Sequence, residues 1–110
     1  MASTVVTANT TAQTAFTVPS NKIGKITFLE IDNQGSSDIT LTIQDVFTPT
    51  ATASVPSPTE VTKDRKVITV AASGIYTEKI DGYIDIIGAC KILGSATDTS
   101  CKITVGYEFE

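Results

Sequence analysis

A chain of 110 residues has room for one domain and not for two. Its net charge of −4, with eight dispersed Lys and Arg, argues against a nucleic-acid partner, which needs clustered positive charge. The lack of any His removes the commonest general base and the usual partner of Ser and Cys nucleophiles, so the sequence reads as non-enzymatic.

An apolar fraction of 41% needs two packed layers to be hidden, and only 18% of residues are charged, so Ser and Thr supply much of the polar surface. That balance suits half-buried strands. Residues 1–4 show no basic start leading into an apolar run, so no secretory signal is read there. No apolar run reaches membrane-spanning length. Neither a membrane nor a nucleic acid is expected as partner.

In chain order, short β-rich runs alternate with turn signals, and no stretch keeps a helical period. Residues 1–18, rich in Thr, Ala and Val, are read as an extended N-terminal arm or edge strand, with residues 19–110 as the sandwich domain. Pro19, Ser20 and Asn21 turn the chain. Residues 22–32 form an expected strand with apolar groups on both faces, and residues 33–37 an expected turn. In residues 38–47, Ile39, Leu41 and Ile43 share one face while Thr40, Thr42 and Gln44 share the other, the period of a strand with one wet side. These two runs are expected to make a hairpin with a five-residue connection.

Residues 48–60 carry Pro49, Pro56 and Pro58 among small polar residues. They cannot make a central strand, because each Pro removes a ladder donor. Connections of this length often carry function, so Pro49, Val55, Pro56 and Pro58 are candidate interaction residues. Further strands are expected at 66–72, 75–80 and 83–93. The total comes to seven or eight, which predicts an all-β protein: a two-layer antiparallel β-sandwich or jelly roll.

Residues 82–109 hold the two cysteines. If Cys90 opposes Cys101 in an antiparallel pair, then Ile86 faces Val105, Ile84 faces Tyr107, Gly88 faces Ile103 and Gly82 faces Phe109. One face is then wholly apolar or Gly. A one-residue slip destroys that segregation. The register predicts a terminal hairpin with its tip at residues 94–97, and makes Cys90 and Cys101 candidates for a cross-strand disulfide. The competing reading is a pair of buried free thiols.

No reactive constellation emerges. Two Cys without His do not complete a metal site, the glycines are isolated rather than grouped for phosphate, and no cofactor is expected. Asp81 and Asp85 with Glu78 or Glu108 could imitate a glycosidase pair, but they fit solvated charges better. Asp32, Asp38 and Asp45 lie near strand ends, where Asp favours turns. Tyr76, Tyr83 and Tyr107 could make an aromatic patch, although Tyr107 and Phe109 fall on the apolar face of the expected hairpin.

One resemblance extends over the first half of the chain. The run Phe16-Thr17-Val18-Pro19-Ser20-Asn21-Lys22-Ile23-Gly24-Lys25-Ile26-Thr27, then Leu29-Glu30-Ile31-Asp32-Asn33 and Ser37-Asp38-Ile39-Thr40-Leu41-Thr42-Ile43, resembles a pattern in small virion proteins of tailed phages. It is similar to head-decoration, or capsid cement, proteins. The resemblance implies a β-sandwich that docks on assembled shells, often as a homotrimer, with a capsid or other virion protein as partner. It also implies a virion location after assembly in the host cytoplasm. Residues 2–14 would then be the arm that reaches a neighbour, with Ala2, Ser3, Thr4, Val5, Val6 and Thr7 as candidate contacts, adding a strand to an exposed sheet edge. The alternative is a carbohydrate- or ligand-binding β-sandwich module.

Overall fold

The computed structural model describes residues 2–80 and 84–110, and among them there are strands, turns and connections but no helix. The strands are β1 (Ala2–Ala8), β2 (Gln13–Thr17), β3 (Gly24–Asn33), β4 (Ile39–Phe47), β5 (Val61–Val70), β6 (Ile75–Lys79), β7 (Asp85–Ile86), β8 (Ala89–Gly94) and β9 (Asp98–Phe109). One sheet has the order β1-β9-β3-β6, with the two-residue β7 also on β3; the other has the order β2-β8-β4-β5. The protein is thus an all-β, two-sheet antiparallel sandwich, as the strand spacing predicts.

The pairing is nested. β1 pairs with β9, β2 with β8, β3 with β6, and β4 with β5. The chain is therefore one long antiparallel hairpin, folded at residues 48–60 and rolled so that its paired arms are shared between the two sheets. This is the double Greek-key order of a jelly roll.

Nesting overturns both expected hairpins. β3 and β4 do not pair; residues 34–38 carry the chain from one sheet to the other. β8 and β9 do not pair either, because β8 lies between β2 and β4 while β9 lies between β1 and β3. Cys90 and Cys101 therefore stand in opposite sheets, and both are buried free thiols. The proposed register fails, yet its apolar face is real: Ile84, Ile86, Cys90, Cys101, Ile103 and Val105 are all in the core. Two strands that meet core face to core face across a sandwich show the same segregation as two that pair. Gly82 in that register, together with Asp81 and Tyr83, lies outside the described residues.

The core is filled by inward side chains of both sheets, most of them from β3, β4, β8 and β9. β4 supplies Ile39, Leu41 and Ile43, in the alternation read from its sequence. β3 does not alternate simply. Ile26, Leu29 and Ile31 are all buried although 26 and 29 differ by an odd number. A bulge between Ile26 and Phe28 inserts one residue and returns the next apolar side chains to the core. This explains why residues 22–32 look apolar on both faces. The bulge also sends Phe28 outward, where its ring covers Gly106 so closely that a Cβ there would overlap it.

Within residues 2–18, β1 and β2 are edge strands of the sandwich, one in each sheet. Ala8, Ala15, Phe16 and Val18 are buried, and Phe16 stacks on Tyr107 with ring centroids 4.3 Å apart. Burying an aliphatic or aromatic side chain of this size stabilises by about 1.5–3 kcal/mol. Tyr107 is only half-buried and Phe109 is 36% exposed, so the expected apolar face thins toward the C-terminus.

Candidate interaction surface

The rolled hairpin has two ends, and one buried polar residue marks each. Among the described residues, Asn33 and Asp45 are the polar side chains buried completely. Each sits opposite a cysteine: Asn33 faces Cys101 on β9, and Asp45 faces Cys90 on β8.

At the Asn33 end the connections are short and tied together. The Asn33 side-chain amide donates to the carbonyls of Ser37 at 2.9 Å, Val70 at 3.3 Å and Ala71 at 3.2 Å, and its oxygen accepts from the Gly35 N–H at 3.0 Å. Asp38 accepts from the Ala72 N–H at 2.9 Å. Asn9 and Gly94 bond through the backbone, as do Thr40 and Ser95. Asp38 serves a connection here, as expected, whereas Asp32 lies within β3 and accepts from the Gln34 side-chain amide at 2.8 Å.

The Asp45 end is built differently. Asp45 occupies the inward position that follows Ile39, Leu41 and Ile43 on β4, where alternation calls for another apolar group. Its carboxylate accepts from Arg65 Nη2 at 2.8 Å and from the backbone N–H groups of Ile87 and Gly88 at 2.9 Å each. A buried carboxylate is tolerated only when paired and hydrogen-bonded in this way. Gly88 is required here: a Cβ would overlap the Val46 carbonyl oxygen. Asp45 thus pins the β7–β8 bend to β4 and holds Arg65 beside it. One debt is left, since Arg65 Nε is buried without a partner.

Around this anchor the surface is apolar. Ile23, Val55, Val61, Ile87 and Phe109 are 47%, 51%, 36%, 53% and 36% exposed. Ile23 and Ile87 border a cleft of about 450 Å³ that Arg65, Ile84 and Asp85 complete. Asp85 receives a hydrogen bond from Lys25 at 3.1 Å, and this bond holds the Lys25 ammonium above its ordinary pKa. Residues 48–60 project from the same end as the hairpin tip. A turn in which Val55 N–H donates to Thr52 Oγ1 orders the tip, and Pro49, Val55 and Pro58 line a shallow hollow with Val61. Pro56 is exposed. The molecule measures 51 × 27 × 17 Å.

The candidate contacts therefore fall into two groups. Pro49, Val55, Pro56 and Pro58 join the Asp45 end. Ala2, Ser3, Thr4, Val5, Val6 and Thr7 form β1, paired along one side with β9. Sequence reasoning missed Asp45, Arg65, Ile23 and Ile87. The signal for Asp45 was present, because a charged residue falls in phase with the buried row of β4.

Glu78 is engaged by the Tyr76 hydroxyl and by Lys66 at 3.2 Å; these hold its carboxyl below the usual range, the Tyr76 hydrogen bond first. Among the described residues no group of three or more His, Cys, Asp or Glu is arranged to hold a metal. No known protein family, curated protein or solved structure matches the chain.

Proposed function

We propose that this chain is a non-enzymatic structural virion protein that decorates or cements a capsid as a homo-oligomer, docking through its Asp45 end. One observation carries the reading: exposed Ile23, Ile87, Phe109, Val55 and Val61 gather at one end of the sandwich, together with a projecting proline-rich tip. Apolar groups clustered in this way mark interaction sites, whereas the exposed Val5, Val67 and Ile75 stand on separate strands. The jelly roll serves viral capsid and lectin domains alike, so the fold is compatible with the role without assigning it.

The test is to raise antibody against the purified protein and probe particles banded from the source culture on a density gradient. Co-banding with particles, lost on Ile87→Asp, is the expected result. Protein found only in the unbanded fraction rejects the proposal.

A second reading has one observation behind it. A groove of about 820 Å³ is lined by Phe28, Glu78 and Glu108 with Thr27, Thr77, Lys79 and Ile80, an aromatic with polar groups such as a sugar site uses. Glu78 is already committed to Tyr76 and Lys66, which ranks this reading second. A glycan array, with Phe28→Ala as control, decides it.

A further inference from the structure

Among the described residues the sheet edges are formed by β1, β2, β5 and, beside β3, β6 with the two-residue β7, and all but β1 resist pairing with another chain. β5 carries Lys63, Asp64, Arg65 and Lys66, and a register shift bends it against β4. β2 has only five residues and is interrupted by a register shift. β6 is equally short and carries Glu78 and Lys79. Charge, shortness and bulges are the devices by which proteins keep sheet edges from joining.

β1 has only one of them, a register shift at its very end, between Thr7 and Ala8. It is seven residues long, contains no charge and no Pro, and runs in unbroken register with β9 from Ala2 to Thr7. Its mid-point, Val5, is 58% exposed. An edge of this kind presents unpaired N–H and C=O groups as a template for a strand.

We infer that β1 is a self-pairing edge: two copies of the chain join antiparallel through β1 across a two-fold axis at Val5. The inference rests on the homo-oligomer of the proposed function and names its interface. The pattern of the strand selects the second copy as occupant. Antiparallel overlap of Ser3–Thr7 on itself, short of the register shift at Ala8, centres on residue 5, which keeps core-facing and solvent-facing side chains on their own sides. Val5 then meets its own equivalent, Ser3 meets Thr7, and Thr4 meets Val6. Every pair is small or β-branched, which favours cross-strand packing. No like charges oppose each other, although each chain carries −4 overall. The result is one continuous sheet through both copies, with the two Asp45 ends left open. Such a contact is isologous and gives a dimer rather than the trimer that the phage resemblance implies. A single short edge buries little area, so association is expected to be of the weak, concentration-dependent kind.

Light scattering on a sizing column, across a concentration series, tests the pairing. The wild type is expected to pass from monomer to dimer. Val5→Lys places like charges face to face at the axis and weakens dimerisation by at least about tenfold. Val5→Glu does the same. An equimolar mixture of the two variants recovers the dimer, because opposite charges now meet. Val5 is exposed, so far-UV circular dichroism and melting of both variants are expected to match the wild type, which separates lost pairing from lost folding. A wild type that stays monomeric overturns the inference, as does a dimer that Val5→Lys leaves intact or a mixture that fails to recover. A monomer that still bands with particles overturns the self-pairing and leaves the virion role standing. A dimer that never bands with particles does the reverse.

Discussion

The two ends of this sandwich solve the same problem with different chemistry. Each must close a core between two sheets where the chain leaves its strands, and each does so with one buried polar side chain opposite a cysteine. Asn33 is neutral, and its side chain makes four hydrogen bonds to backbone groups. Nothing there is left over, and the connections are short. Asp45 is charged and depends on a cation, Arg65, that is itself 27% exposed and incompletely satisfied. Exposed apolar side chains and the long proline-rich tip lie at that end. The contrast separates a closure whose whole job is stability from one that also shapes a surface.

The largest expected effect breaks this comparison most directly. Asp45→Ala leaves the Arg65 guanidinium and two buried N–H groups without their acceptor, and should cost about 3–5 kcal/mol by urea unfolding. Asn33→Ala strips one N–H and three carbonyls of a partner but leaves no charge behind, and should cost about 1–3 kcal/mol. The double change Asp45→Leu with Arg65→Met should return most of the loss, since hydrophobic replacement of a buried pair is often neutral. If Asn33→Ala proves the worse single change, the charged end has no special standing.

Glycines sharpen the same contrast at smaller scale. At Gly88 an added Cβ meets the backbone carbonyl of Val46, whereas at Gly35 it meets the carboxylate of Asp98, the movable end of a side chain. Gly88→Ala should therefore cost about 1–3 kcal/mol in chemical unfolding, and Gly35→Ala clearly less. Equal losses would mean that the Asn33 end is as rigid as the Asp45 end. Removing residues 51–57 should change stability by only about 0.5 kcal/mol, because closure entropy depends weakly on loop length, yet should abolish particle attachment. A shortened tip that still attaches moves the docking surface to Ile23, Ile87 and Phe109 alone.

How much of this was legible depends on what alternation encodes. Period 2 reports which face of a strand is buried, and so β4, residues 48–60 and the inward row of β8 and β9 were readable from residues alone. It does not report the partner. Gly-rich and Asn-bearing turns look alike whether the chain doubles back within a sheet or crosses to the other, and both hairpins were misassigned for that reason. The bulge in β3 hid its face by breaking the period at Thr27. Asp45 was visible as a residue in phase with Ile39, Leu41 and Ile43, but its meaning depends on Arg65, Ile87 and Gly88, which only the rolled topology brings together. Residues 1–18 read equally as an arm or an edge strand; that β1 lies along β9 of its own chain was not legible.

A pH-dependent effect of the cysteines returns to the two ends. Burial pushes the Cys90 thiol up to about 12, and the Asp45 carboxylate pushes it the same way. Burial also raises Cys101, with Asp98 and Asp32 adding to it. A thiol whose pKa is raised on folding contributes stability that is complete below the unfolded value, 9.0, and is lost as pH rises toward the folded one. Between about pH 8 and about pH 10 the unfolded chain ionises Cys90 while the native one does not, a loss of about 1.4 kcal/mol. Cys90→Ala should remove that part of the pH dependence, and Cys101→Ala should remove a smaller part, because no buried carboxylate stands opposite it. Two free thiols in opposite sheets also predict a melting temperature indifferent to reductant and no alkylation of the native protein near neutral pH. A melting temperature that falls on reduction would show a disulfide across the sandwich, tying the two ends together through the very residues that distinguish them.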